Sequence, residues 1–175
     1  IISSAPPVMA RAIMPLLRHS KSKLRTPAHN MDINELEKRL EEEACSRSYY
    51  SLSKRYQGGA YCLIHEDGMW RILYSERNLD DEPLFEGESE SEACEFFFFF
   101  MTKRILHRHL VGYFISLKNA EALAEQLAQR GIATHRNDVP YHGWDDPRFR
   151  VFVTGKDIFK AQELLGELPV RDHRD

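Results

Sequence analysis

The chain has 175 residues, of which 42% are hydrophobic and 29% are charged, proportions typical of a water-soluble protein with one sizeable core or two small ones. Its most apolar run, residues 96–101, is flanked by charged residues and falls far short of the roughly 20 apolar residues of a transmembrane helix, which argues against membrane insertion. The three cysteines are widely spaced and form no CxxC pair, so we expect reduced thiols and a cytoplasmic protein.

Charge is distributed unevenly along the chain. Residues 1–30 contain five basic side chains and no acidic one, so the net formal charge of −3 leaves −8 for residues 31–175. Residues 80–95 contain eight acidic side chains and no basic one. Because phosphate binding relies on Lys and Arg, we expect no nucleic-acid partner for this surface, and a basic protein is the better match.

Residues 1–30 are predicted to be a poorly ordered basic leader or extension. They combine four prolines with basic residues and show no sustained periodicity. A targeting peptide is disfavoured because serine is sparse and Pro15 interrupts the amphipathic pattern. Met31 opens the segment "MDINELEKRLEEEACSR", which resembles an ordinary protein start.

Residues 31–109 predict an α-β-β-(β)-α module. A first helix is indicated by Ile33, Leu36 and Leu40 at helical spacing, with Asp32 or Asn34 as its N-cap. The strands "AYCLIHE" and "MWRILYSE" are joined by Asp-Gly, a dipeptide that favours a tight hairpin turn, and "PLFEG" adds a third strand. The segment "SESEACEFFFFFMTKRILHRH" predicts a second helix, acidic at its start and basic at its end, with Ser89 or Ser91 as N-cap.

Residues 110–168 predict a ferredoxin-like βαββα module, and residues 169–175 are left as a tail. The strands are "LVGYFIS", "IATHRNDV" and "RFRVFVTG", and the helices are "LKNAEALAEQLAQRG" and "KDIFKAQELLGEL". The fold class is therefore α+β. Five consecutive phenylalanines cover the whole circumference of a helix, so we expect the Phe-rich helix to be buried on most sides and to pack the first module onto the second sheet.

No motif predicts catalysis, a cofactor or a metal. His107 and His109 form an HxH pair, but on the predicted helix their side chains point about 200° apart, which favours surface histidines over a zinc site. Cys62 or Cys94 with a histidine is the alternative of a thiol nucleophile, yet both lie in apolar patterns typical of structural cysteines. The acidic stretch lacks the spacing of a calcium-binding EF-hand loop.

The segment "DGMWRILYSERNLDDEPLFEGESESEACEFFFFFM" resembles immunity proteins encoded beside bacterial polymorphic toxins such as Rhs-type effectors. The matching positions are Asp67, Gly68, Trp70, Tyr74, Ser75, Glu76, Arg77, Ser91, Glu92, Ala93 and Cys94. Asn78 stands where glycine is more usual, and asparagine tolerates the positive φ of a turn. The second half resembles small ferredoxin-like domains of bacterial proteins with regulatory or unknown roles.

The first resemblance implies a non-catalytic inhibitor that binds one cognate toxin, a basic nuclease or ADP-ribosyltransferase effector domain, and blocks its active site. The acidic segment and the loop between the last two strands are the predicted contact regions. The predicted contact residues are Asp80, Asp81, Glu82, Glu86, Glu88 and Glu90 in the segment, and Asp138, Tyr141, Trp144, Asp145 and Asp146 in the loop. The leading alternative is a ligand-sensing regulatory protein, and an enzyme is third. The sequence leaves the oligomeric state open.

Overall fold

A computed structural model describes residues 30–77, 79–143 and 145–172, so nearly all of the predicted leader lies outside the described residues. The first module contains α1 (Ile33–Glu42), β1 (Tyr50–Leu52), β2 (Ala60–Glu66), β3 (Met69–Glu76), β4 (Leu79–Asp80), β5 (Phe85–Gly87) and α2 (Glu90–Arg104). Its sheet has the order β1-β2-β3-β4, and β5 also pairs with β3. The α+β class predicted from the sequence is confirmed.

The hairpin of β2 and β3 is the centre of the first module. The two strands pair antiparallel along their full length, from Ala60 opposite Ser75 to Glu66 opposite Met69. Asp67 and Gly68 both have positive φ angles, 52° and 76°, which gives the turn the twist that a two-residue hairpin requires. The sequence therefore predicts this hairpin correctly.

The second module contains β6 (Arg108–Phe114), α3 (Leu117–Ala128), β7 (His135–Pro140), β8 (Pro147–Thr154), α4 (Asp157–Leu165) and β9 (Val170–Arg171). The strand order is β7-β8-β6-β9. Strands β6 and β7 both run antiparallel to β8 between them, which makes β6-α3-β7 a split βαβ unit. Strand β9 pairs with β6 in parallel, so part of the predicted tail belongs to the sheet.

Each sheet has its own hydrophobic core. The first core includes Leu36, Leu40, Leu63, Ile72, Phe97 and Met101, and the second includes Val111, Leu123, Leu127, Val151, Val153 and Ala161. Four of the five phenylalanine rings of α2, those of Phe96, Phe97, Phe98 and Phe100, pack in the first core, and none of the five packs in the second. The prediction that the Phe-rich helix packs onto the second sheet is therefore wrong, because α2 ends at Arg104 and the chain extends from Ile105 towards β6.

Two histidines act at the junction instead: His107 fixes the end of the first module to Ser46 and Met101, and His109 on β6 connects the second module to the first. The Ser46 N–H donates to Nδ1 of His107 at 3.1 Å, and Nε2 of His107 lies 3.0 Å from the carbonyl oxygen of Met101. Nε2 of His109 lies 2.9 Å from the carbonyl oxygen of Ala44. The interpretation of both as surface histidines at a helix end is wrong, since His107 is buried and His109, within β6, is half-buried.

No helix in the described ranges has the length and apolar character needed to cross a bilayer.

The C-terminal stretch is held by the carboxylate of Asp172. Oδ2 accepts hydrogen bonds from the backbone N–H groups of Ile115 and Ser116 at 2.6 and 2.9 Å, and Oδ1 accepts one from the Asn119 side chain at 2.6 Å. Burial acts to raise the pKa of Asp172, but these hydrogen bonds outweigh it and lower the pKa below its ordinary value. The carboxylate thereby satisfies free N–H groups at the start of α3.

Asp172→Ala is expected to lower the free energy of unfolding by about 1–2 kcal/mol, because three donors lose a charged acceptor at a partly exposed site. Urea denaturation followed by circular dichroism measures the change. Glu167→Ala is the matched control, since this acidic side chain is exposed and forms no ion pair with a described residue. Equal stability of both variants would show that Asp172 does not hold β9 in place.

Candidate functional site

The negative charge of the protein belongs to the first module. Residues 30–107 carry 17 acidic and 9 basic side chains, whereas residues 108–172 carry 9 of each. The second module is therefore neutral by formal charge, and a basic partner would be attracted to the first. The candidate functional site is the acidic surface that begins at β4 and continues to the start of α2.

Three of the six predicted acidic contact residues have structural roles. Oδ2 of Asp80 lies 2.7 Å from Nε of Arg55, which also binds Glu66, and Oε2 of Glu86 lies 2.7 Å from Nε of Arg71. Oε1 of Glu90 accepts a hydrogen bond of 3.0 Å from the backbone N–H of Ile33, at the first turn of α1.

Arg55 also affects the titration of Asp80. Burial acts to raise the pKa of this carboxyl, but the hydrogen bond from Arg55 contributes to a net lowering. Because Asp80, Glu86 and Glu90 are already engaged within the fold, their negative charge is less available to a partner.

The other three acidic residues of the segment face solvent. Asp81, Glu82 and Glu88 are exposed, and none of them forms an ion pair with a residue in the described part of the chain. We call these three residues the acidic patch. The predicted contact residues of the segment therefore divide into three that are bonded within the fold and three that are not.

The predicted loop between β7 and β8 is braced from within. The guanidinium of Arg148 is buried, pairs with the carboxylate of Asp146 and lies 4.2 Å from the centre of the Tyr141 ring. Oδ1 of Asp138 lies 3.0 Å from Nε of Arg136. Asp145 is exposed, and Trp144 lies outside the described residues. Two of the three acidic residues predicted as contacts in this region, Asp138 and Asp146, are therefore paired with arginines of the same region.

The loop and the first module lie at opposite ends of the second sheet. Arg108 pairs with Thr154 at the end of β6 nearest the first module, and Phe114 pairs with Phe149 at the end nearest the loop. The intervening length of β6 is about 20 Å at the rise of an extended strand. The two predicted contact regions therefore do not form one continuous surface around the junction, and we restrict the candidate site to the first module.

The cysteines lie away from this surface, inside the fold. Cys45, Cys62 and Cys94 are all buried and free. Burial is the main cause that raises the pKa of Cys45 to about 11 and that of Cys94 to about 12, so both are thiols rather than thiolates at neutral pH. Within the described ranges, no three His, Cys, Asp or Glu side chains cluster as metal ligands would.

Two further acidic residues, which are not among the contact residues predicted from the sequence, continue this acidic surface onto α2. Glu92 and Glu95 are exposed on α2 and, like the acidic patch, form no ion pair with a described residue. The signal for them was available, since both belong to the same acidic run. In the sequence, this run also predicts the charged start of a helix, and only the packing of α2 shows which of its faces remains open.

Fold and surface together define an acidic α+β protein of two modules, each with its own sheet and core. Comparisons with protein-family models, curated proteins and solved structures find no match to this chain. The function is therefore inferred from the residues and their geometry.

Proposed function

We propose that the protein is a cytoplasmic immunity protein that binds a cognate basic toxin, a nuclease or ADP-ribosyltransferase effector domain, and neutralises it by covering its active site. The observation that carries the proposal is the acidic patch, whose three carboxylates are exposed and unpaired on a module with a large excess of acidic side chains. The resemblance of residues 67–101 to immunity proteins points in the same direction. The protein itself performs no chemistry in this proposal.

The charge distribution suits the kinetic demands of such an inhibitor. An inhibitor of this kind must reach its target before the toxin acts, and complementary charge raises the rate of productive encounter. Nanomolar affinity corresponds to about −12 kcal/mol, which generally requires a buried apolar or aromatic anchor in addition to charge. The acidic patch therefore accounts for the selection of a basic partner and for fast association, and an anchor must be sought beside it.

The direct test uses the toxin domain encoded by the neighbouring gene, purified as a catalytically inactive variant. We expect the two proteins to co-elute from a size-exclusion column when mixed at micromolar concentration. We also expect the active toxin domain to lose its activity when this protein is added in equal amount. Separate elution of the two proteins at that concentration would contradict the proposal.

Reversal of the acidic patch with Asp81→Lys, Glu82→Lys and Glu88→Lys together is expected to slow association at least about tenfold at low ionic strength. The loss should shrink in 0.5 M salt, because exposed charges are screened over a few ångströms there. Surface plasmon resonance at both salt concentrations measures the effect.

The matched control reverses three exposed acidic residues of the second module, Glu125→Lys, Glu163→Lys and Glu167→Lys, and changes the net charge by the same amount. We expect a smaller loss from this control. If both triple variants slowed association equally, the partner would respond to net charge alone, and the acidic patch would not be the contact site.

The alternative of a ligand-sensing regulatory protein is favoured by one observation. An open cleft of about 540 Å³ lies beside the start of α3 and is lined by residues that include Phe114, Asn119 and Asp172. A small anionic effector would have to displace the Asp172 carboxylate from its donors. Thermal denaturation with added nucleotides or amino acids distinguishes this function, since a ligand that binds only the folded protein raises its melting temperature.

A further inference from the structure

The five consecutive phenylalanines of α2 point in different directions, and four of their rings have partners in the first core. Phe97 lies edge-on to Tyr50, Phe96 lies against Phe85, Phe100 contacts Tyr61 and Phe98 lies under the guanidinium of Arg39. Phe99 is the exception, with 52% of its surface exposed and no aromatic or cationic partner in the described chain. Four of the five rings thus pack in the first core, and the ring of Phe99 does not.

Phe99 lies on a stripe of α2 that faces solvent. Glu92, Glu95, Phe99 and Lys103 follow one another at intervals of three or four residues and are all exposed, so they share one face of the helix. At the helical rise per residue, Phe99 lies about 6 Å along the axis from Glu95 and about 10 Å from Glu92. We call Glu92, Glu95 and Phe99 the outer stripe of α2.

Nothing in the fold accounts for phenylalanine at position 99. An exposed helix position is better filled by alanine, leucine, arginine, lysine or glutamate, all of which have higher helix propensity than phenylalanine. A single exposed apolar residue is common on protein surfaces and needs no special explanation. Here, however, the exposed ring is preceded on its own face by two unpaired carboxylates, and Glu88 of the acidic patch lies two residues before the start of the helix.

We propose that the outer stripe of α2 is the centre of the docking surface and that Phe99 is its apolar anchor. The partner is a basic protein with an apolar recess for the ring, bordered by Lys or Arg side chains that face Glu92 and Glu95. This inference rests on the proposed function, and it names the part of the surface that holds the toxin. Aromatic anchors within a ring of weaker polar contacts are the usual centre of a tight interface.

The test is Phe99→Ala, with the inactive toxin domain of the neighbouring gene as the probe. We expect the dissociation constant to rise about 30-fold or more, mainly through faster dissociation. Phe159→Ala is the matched control, because this ring is 47% exposed on α4 of the second module. We expect it to bind as tightly as the unchanged protein, and both variants to keep their melting temperatures.

A second variant, Glu95→Gln, removes one carboxylate of the stripe with almost no change in side-chain shape. It is expected to slow association at low salt and to leave the melting temperature unchanged. It keeps the proposal testable if Phe99→Ala perturbs the helix.

The outcomes separate the two proposals. Failure of the unchanged protein to bind the toxin domain would overturn both the proposed function and the anchor. Binding that Phe99→Ala and Glu95→Gln leave unaltered would overturn the docking surface on α2 while the proposed function stands. An equal loss from Phe99→Ala and Phe159→Ala would also overturn the anchor, because the effect would then not depend on α2.

Discussion

Phe97→Ala is expected to lower the free energy of unfolding by about 3–5 kcal/mol. Phe97 is fully buried at the inner face of α2, where its ring meets the ring of Tyr50 with 6.2 Å between centres. Its neighbours in the first core include Leu36, Leu40 and Met101, all of them fully buried as well. Loss of the ring removes its apolar burial and leaves a cavity that two helices and a sheet cannot easily close. Urea denaturation with linear extrapolation measures the change.

Phe99→Ala is the matched control for stability, because the same substitution is made on the same helix two residues further on. Its expected effect lies within about 0.5 kcal/mol, as for most exposed positions. The contrast between the two variants tests the orientation of α2 directly. If the two substitutions destabilised the protein equally, the helix would be rotated from the orientation described above, and Phe99 would not be available to a partner.

The local elements of the first module were predictable because their signals are local. Asp67 and Gly68 adopt the positive φ angles of a tight turn, so the positions of both flanking strands follow from the dipeptide between them. Ser89 accepts a hydrogen bond from the N–H of Glu92, as expected of an N-cap, which fixes the start of α2.

The end of α2 was not predictable in the same way. The residues "ILHRH" contain no glycine or proline, and the sequence therefore allowed the helix to continue to residue 109. The chain leaves the helix at Ile105, and His107 then bonds to Ser46, which is 61 residues away in the sequence. A contact over that separation has no local signature, so the histidines were mistaken for surface residues.

Short strands and ion pairs escaped prediction for the same reason. Strands β1, β4 and β9 have only two or three residues each, too few for a periodic pattern, and they exist because a longer strand lies beside them. Along the sequence, Asp80 and Asp81 look equivalent. The fold separates them, because Arg55, 25 residues before Asp80 in the sequence, pairs with Asp80 and not with Asp81. The sequence thus identifies the acidic segment, but it does not show which of its carboxylates are already paired within the fold.

His107 connects three segments as long as its ring is neutral. Nδ1 accepts a hydrogen bond from the Ser46 N–H, so the proton of the neutral ring is on Nε2, which donates to the Met101 carbonyl oxygen. A second proton on Nδ1 would face the Ser46 N–H and break that hydrogen bond. Burial, more than the nearby His109, lowers the pKa of His107 against the opposing effect of the Met101 carbonyl. The ring of Tyr49 also packs against it in a T-shaped arrangement, with 5.4 Å between ring centres.

His107→Ala is expected to lower the free energy of unfolding by about 2–4 kcal/mol at pH 7.5, because it leaves a cavity and leaves one buried and one partly buried backbone group without partners. Because the pKa of His107 is lower in the folded protein, the unfolded chain binds a proton at this site more readily. The stability that neutral His107 contributes is therefore complete above about pH 6.5, the ordinary pKa of histidine. It declines as the pH falls from there towards the lower pKa of the folded state. Urea denaturation at pH 7.5 and pH 5.5 should therefore show a smaller loss on acidification in His107→Ala than in the unchanged protein. The control is His135→Ala, which removes an exposed histidine on β7 and should lose as much stability on acidification as the unchanged protein. If His107→Ala also lost that much, the titration of His107 would not contribute to the pH dependence of stability.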